Sequence, residues 1–157
     1  MKEVERVAGD FNDEGSVASA LKDVERAFLL TNSSEQAETQ QARFVDAARR
    51  AGVNKLSQWA ADSNSPVRFL RYHAAVEQRI KDSGIAYTFL RPKLFMQGFL
   101  AFREPIARQG QFFAAIGEAR ISGVDVRDIA AVAAAALTED GHEGKIYNLT
   151  GLRQFVL

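Results

Sequence analysis

The sequence predicts an α/β fold of three layers, a largely parallel sheet with helices on both faces. Two observations carry this. Short apolar strands alternate with amphipathic helices along most of the 157 residues, the pattern of repeated β-α-β units. One of those strands, Ala27-Phe28-Leu29-Leu30-Thr31, is almost wholly apolar, as expected of a parallel strand covered on both faces. Right-handed crossovers then make the sheet parallel. A third observation is an omission: the sequence contains no G-x-G-x-x-G strand–turn–helix. Parallel sheets of this kind use that motif to hold a pyrophosphate on backbone N–H groups at a helix N-terminus.

The elements follow in order. Val4 to Ala8 reads as a short strand ending in the turn Gly9-Asp10-Phe11-Asn12-Asp13. Ser16 is positioned to cap a helix running to about Lys22, with Val17, Ala20 and Leu21 on its apolar face. After the Ala27–Thr31 strand, Asn32, Ser33 and Ser34 form a polar loop. A helix from Glu35 to about Ala51 buries Phe44, Val45 and Ala48; Gly52 stops it, and Arg49 and Arg50 suit its C-terminal dipole. Lys55–Ala60 is the next strand. Pro66 fits the first turn of the following helix, which runs through Phe69, Tyr72, His73, Val76 and Ile80 to Gly84.

Ile85–Leu90 is a fourth strand, closed by Arg91-Pro92. An aromatic-rich stretch follows, with Phe95, Met96, Phe99, Leu100 and Phe102. Gln111–Ile116 reads as a strand, Asp128 as the cap of an alanine-rich helix, and Lys145–Leu149 as the last strand. The expected sheet has about five strands. No internal repeat or linker divides the chain, so residues 1–157 are expected to form one domain.

Composition narrows the function. Twenty basic and twenty acidic residues cancel, and no dense Lys/Arg stripe offers a phosphate footprint, which argues against nucleic-acid binding. Cysteine is absent; disulfides, thiolate nucleophiles and cysteine metal sites are excluded, and a cytoplasmic home is the expectation. His73 and His142 lie far apart without a spaced carboxylate set, so no metal site is expected. The nine apolar residues Ile129–Leu137 are too few to cross a membrane.

Several motifs together point further. They are Gly9-Asp10-Phe11-Asn12-Asp13, Phe28-Leu29-Leu30-Thr31, His73-x-x-x-Glu77, Gly84-Ile85-x-Tyr87-Thr88-Phe89-Leu90-Arg91-Pro92-x-x-Phe95-Met96, Val126-Arg127-Asp128-Ile129 and Lys145-Ile146-Tyr147-Asn148-Leu149. With these the chain resembles the NmrA-like branch of the atypical short-chain dehydrogenases, near the triphenylmethane-reductase and quinone-oxidoreductase relatives. The resemblance implies a Rossmann-like sheet that is incomplete at its N-terminus, the chain starting at the third strand of the family fold. It implies NAD or NADP as the cofactor of full-length relatives, with none bound by this chain. Full-length forms are expected to reduce a quinone-like or conjugated acceptor, and this chain to be an inactive oxidoreductase-type domain. A non-catalytic redox-sensing or protein-interaction module is the alternative.

The resemblance also distributes roles. Asp10 and Phe11 would lie beside the adenine, although an aspartate there equally satisfies its own turn. Leu30, Thr31 and Asn32 would run along the cofactor ribose, at a strand end that also serves the core. His73 takes the place of the lysine in the Tyr-x-x-x-Lys pair of typical short-chain dehydrogenases, while the tyrosine place falls on Phe69, which has no hydroxyl. An imidazole can bond a nicotinamide ribose or relay a proton; a histidine satisfied by its surroundings is the plainer reading. Pro92 would flank the nicotinamide, and Phe95 and Met96 would wall the substrate cleft or else belong to the core. Finally, the loss of two strands beside Ala27–Thr31 would open an apolar edge, so a homodimer is expected, with repair by an inward-moving Val4–Ala8 as the alternative.

Overall fold

A computed structural model describes residues 4–60, 71–113, 120–152 and 155–156. Its centre is a four-stranded, all-parallel sheet in the order β1-β2-β3-β7, formed by β1 (Arg26–Leu29), β2 (Lys55–Trp59), β3 (Ala86–Pro92) and β7 (Lys145–Leu149). Two helices, α2 (Ala37–Ala51) and α3 (Tyr72–Ser83), pack together, and α2 also packs on α1 (Glu14–Ala20). The remaining long helix, α5 (Val126–Thr138), contacts β1, β2 and β3. The α/β class, the parallel sheet and the layering are as the alternation requires.

The helix ends show why these segments fold as they do. Gly52 and Gly84 close α2 and α3 with φ of 79° and 78°, the left-handed conformation that costs glycine least. Burial alternates with the pleat along β1, while β2 is buried on both faces. Ala27 and Leu29 of β1 are buried with Leu56, Phe89, Val45, Val76 and Ile80 in one core cluster. Each fully buried large side chain contributes about 1.5–3 kcal/mol over an exposed one. Lys55, at the start of β2, is tied down by the Glu139 carbonyl (2.7 Å) and the Glu143 carboxylate (2.6 Å). Its cation, hydrogen-bonded to Glu143, depresses that carboxyl well below the usual range, to about 2.

Five expectations are corrected. Val4–Ala8 forms no strand: residues 4–10 lack regular structure, pair with no strand of the described residues, and Val4 is 79% exposed. The helix cap is Asp13, whose side chain accepts from Gly15 N–H at 3.0 Å; Ser16 instead accepts from Asp10 N–H at 2.7 Å. The β1 strand is fully covered on one face only: α5 reaches the other, yet Phe28 and Leu30 stay exposed there. Among the described residues the main sheet has four strands where about five were expected; β4 (Leu94–Phe95) pairs with β6 (Gly123–Val124), and β5 (Arg120–Ile121) with β8 (Phe155–Val156), as separate pairs. The cap of α5 is Asp125, three residues before Asp128, and it binds the Arg127 side chain as well as its N–H. Those bonds hold the Asp125 carboxyl far below the carboxylate range.

Residues 111–113 of the expected Gln111–Ile116 strand carry no regular structure. The rest of that strand, and Pro66 and Phe69, lie outside the described residues. Between β4 and α4 (Arg103–Gln109), the aromatic stretch forms a 3-10 helix, Met96–Phe102.

Candidate functional site

The C-terminal ends of parallel strands are where an open α/β sheet offers side chains to a ligand. Here those ends bring together Thr31 and Asn32 after β1, Trp59 at the end of β2, Pro92 at the end of β3, and His73 in the first turn of α3. Aromatic contacts join His73 and Trp59 to each other and to their neighbours. The His73 ring lies 4.1 Å from Tyr72 and meets Trp59 edge-on at 5.1 Å; Trp59 lies 6.0 Å from Phe95.

His73 is the most unusual group in this set. It is 0% exposed, and neither ring nitrogen has a hydrogen-bond partner among the described residues. Burial disfavours the imidazolium and lowers its pKa to about 4. At neutral pH the ring is therefore an uncharged imidazole, one nitrogen a donor and the other an acceptor. Burial also raises the Tyr72 hydroxyl, against an opposing pull from the Ser33 side chain beside it. That hydroxyl, Ser57 Oγ, Gln58 Oε1 and Trp59 Nε1 are likewise buried without a partner of good geometry. Buried polar atoms are normally satisfied, and among the described residues these unpartnered ones gather around the end of β2 and the start of α3.

Thr31 is fixed from behind. Its Oγ1 accepts from Gln41 Nε2 at 2.7 Å, and Gln41 Oε1 accepts from Gln58 Nε2 at 2.7 Å. Both glutamines are 0% exposed. With one acceptor position filled, the Thr31 hydroxyl keeps its own hydrogen to donate. Asn32 is exposed. Leu30, 55% exposed, joins Phe28, Trp59, Phe95, Val126 and Ile129 around an apolar cavity of about 180 Å³. Met96 is exposed and Phe95 half-buried, Phe95 being held in β4 by its pairing with Val124.

The structure does not bring Asp10 and Phe11 into this group. Asp10 Oδ1 accepts from the Asn12 backbone N–H (2.8 Å) and from Asn12 Nδ2 (3.1 Å), the bonding of a turn aspartate. Phe11 packs on Phe44 at 5.9 Å, against the core. Sequence reasoning missed Ser57, Gln58, Trp59 and Gln41. The signal was available only for Trp59, the single tryptophan, at a strand end.

The Thr31 hydroxyl and the uncharged His73 ring have the donor and acceptor chemistry that a ribose hydroxyl can meet, while Ser57 is wholly buried within β2. For a pyrophosphate, the described residues offer no glycine at a strand–turn–helix junction where a Cβ would fill the space. Among the described residues no group of three or more His, Cys, Asp or Glu side chains could hold a metal ion, and no helix is long and apolar enough to cross a membrane.

Comparison with known proteins extends this picture. Over 151 residues the chain is 36% identical to the NAD(P)H azoreductase of Xenophilus azovorans, covering 94% of this chain and 53% of that enzyme. The triphenylmethane reductase of Citrobacter, solved with NADP(H), superposes with a TM-score of 0.89 at 29% identity, over 98% of this chain and 56% of that one. The NADPH-dependent quinone oxidoreductase of Escherichia coli, solved with NADPH, gives 0.85 at 33% identity, over 94% and 53%. The chain thus spans about half the length of the curated relatives it matches. The sequence model of the NmrA-like family matches residues 1–149. With the parallel sheet and the ligand-facing strand ends in place, that match settles the descent: this chain belongs to the NmrA-like family of NAD(P)-binding, Rossmann-like proteins.

Proposed function

We propose that this chain is the acceptor-side part of an NAD(P)-dependent oxidoreductase whose full-length form reduces a quinone-like or otherwise conjugated acceptor, and that the chain by itself is inactive. The observation that carries the reading is His73: buried, uncharged, without a hydrogen-bond partner among the described residues, and walled by Tyr72 and Trp59. In this reading its imidazole hydrogen-bonds a ribose hydroxyl and passes a proton, while Thr31 and Asn32 line the ribose and Pro92 flanks the nicotinamide. Phe95 and Met96 form an apolar wall for a flat acceptor. Hydride would come from the nicotinamide when bound; the protein's part is orientation and exclusion of water. Asp10 and Phe11 keep their proposed place by the adenine in a full-length form.

Inactivity rests on the pyrophosphate. In this reading the described residues supply no glycine-rich cradle, and each charge-assisted hydrogen bond forgone is worth about 1.5–3 kcal/mol. Calorimetric titration of the 157-residue chain with NADH and NADPH tests this. The expected result is no binding tighter than about 10 μM, roughly 7 kcal/mol; tighter binding of either cofactor overturns the reading.

A second reading, a non-catalytic interaction module, is favoured by one feature. Among the described residues no strand pairs with the outer edge of β1, and Phe28 and Leu30 are exposed beside it. In both readings we assign a second copy of the chain as partner, one domain over residues 1–157, and a cytoplasmic home in keeping with the cysteine-free sequence.

A further inference from the structure

The segment that carries Phe95 is held by a closed circuit of backbone contacts. Leu94 and Phe95 pair with Gly123 and Val124, β4 against β6. Gln97 Oε1 accepts from Val126 N–H at 3.1 Å, so residues 94–97 are attached at both ends to the connection between β6 and α5. On the other side, Lys93 N–H donates to the Leu149 carbonyl at 3.0 Å. That bond extends the β3–β7 ladder, whose last pair is Pro92 and Leu149. The chain leaving β7 then returns to β6. Ser122 Oγ donates to the Gly151 carbonyl at 2.9 Å, and Gly151 stands so close to Gly123 that a Cβ there would overlap the Gly123 carbonyl oxygen. The circuit thus passes through Lys93, Leu149, Gly151, Gly123 and Leu94.

Gly151 does not have the positive φ that favours glycine. Its part is one of space, the close approach of two backbones that a side chain would forbid. The atom a methyl group would meet is itself backbone, so no side chain can swing aside to admit it. A methyl placed inside the circuit must therefore open it at the weaker joint. The β3–β7 ladder holds over five residue pairs and the β4–β6 pairing over two. Opening shifts β6 and the segment that rides on it, while the main sheet stays. Trp59 belongs to that sheet, at the end of β2, and the Phe95 ring lies 6.0 Å from it. The placing of these two rings depends on a residue far along the chain from either.

We propose that Gly151 is a positioning residue for the acceptor: by letting the chain after β7 close against Gly123, it fixes Phe95 relative to Trp59 and so selects flat acceptors by size. This rests on the reading above in which Phe95 and Met96 wall the acceptor. Specificity is a difference between affinities, and a wall placed by backbone packing acts on that difference through shape alone.

Trp59 is the only tryptophan of the sequence, so its emission reports the contact with Phe95, and its quenching titrates an aromatic acceptor. The probes are menadione, a two-ring quinone, and duroquinone, which has one ring. Gly151→Ala is expected to shift the Trp59 emission maximum. It is also expected to change the ratio of the two dissociation constants by at least about threefold, short of the roughly tenfold cost of one misplaced methylene in an apolar pocket. Gly9→Ala, whose added methyl meets Ser16 Oγ at an ordinary 3.7 Å, is expected to change neither. A merely structural role for Gly151 would lower the urea midpoint and leave the ratio alone. Ser122→Ala loosens the same joint without adding volume. It is expected to move both readouts in the same direction by less, and it decides the matter if Gly151→Ala does not fold. Saturable quenching of the unaltered chain, with an unchanged ratio in the folded variant, overturns the proposal and leaves the acceptor reading standing. No saturable quenching of the unaltered chain by either quinone overturns the acceptor reading, and this proposal with it.

Discussion

Arg91 and Glu77 are clamped together across the top of the sheet. Arg91 Nη2 donates to Glu77 Oε2 at 2.8 Å and to Oε1 at 2.9 Å, and Nε donates to Oε1 at 3.1 Å. The side chains are 18% and 4% exposed. Arg91 precedes Pro92 at the exit of β3, and Glu77 lies one helical turn after His73 in α3. The clamp thus fixes the helix that presents His73 to the strand that ends at Pro92.

Breaking one side of this clamp is expected to cost far more than replacing both. Glu77→Gln leaves the Arg91 cation under a buried, uncharged amide and is expected to destabilise the fold by about 3 kcal/mol. The double change Glu77→Leu with Arg91→Met removes both charges and keeps the volume, and is expected to recover most of that loss. Urea unfolding of the three proteins measures this. A loss below about 1 kcal/mol for Glu77→Gln would show that the clamp is as weak as an exposed ion pair.

His73 makes stability depend on pH in a direction set by its burial. Its folded pKa, about 4, lies below the ordinary value of 6.5, so the unfolded chain binds the proton more readily. Stability is therefore full above about pH 6.5 and is lost as pH falls toward 4. At 1.36 kcal/mol for each unit of displacement, the loss approaches roughly 3 kcal/mol at the acid end. Carboxylates held by partners, such as Glu143, add their loss only at lower pH. Subtraction isolates the histidine: between pH 7, 5.5 and 4.5 the unfolding free energy of the parent is expected to fall progressively relative to that of His73→Leu. Parallel curves would mean that the folded protein admits the proton without penalty.

The backbone of this fold was legible because its punctuation is local. Gly52 and Gly84 end their helices by a conformation other residues resist, and the apolar runs at Phe28, Leu56 and Phe89 identify strands whatever surrounds them. The errors arose where a neighbour decides. Val4–Ala8 has the composition of a strand, yet a strand exists only when another edge accepts its hydrogen bonds. Asp128 and Asp125 are both credible caps, and only the start of the helical backbone separates them. At the site, His73 was found because the motif spacing marked it. Gln41 and Gln58 were not, since a glutamine on an amphipathic helix and one within a strand give no hint that they meet 17 positions apart in the interior.

That meeting has a measurable consequence for Thr31. Gln41 bridges Gln58 Nε2 and Thr31 Oγ1, both at 2.7 Å. Gln41→Leu nearly preserves volume, so little of its effect comes from a cavity. It strands the Gln58 amide donor in the core, at about 1–3 kcal/mol for the unsatisfied group. Gln58→Leu strands Gln41 Oε1 but also removes Gln58 Oε1, which already lacks a partner, so its cost is expected to be smaller. The double change to leucine leaves no donor without an acceptor between the two positions. It is therefore expected to cost less than the sum of the single changes, with a coupling of about 1 kcal/mol or more, in the range found for contacting pairs. Thermal unfolding of the four proteins closes the cycle. Strict additivity would mean that each amide is satisfied by water in solution, and that Thr31 is oriented by its own strand instead of by the glutamines behind it.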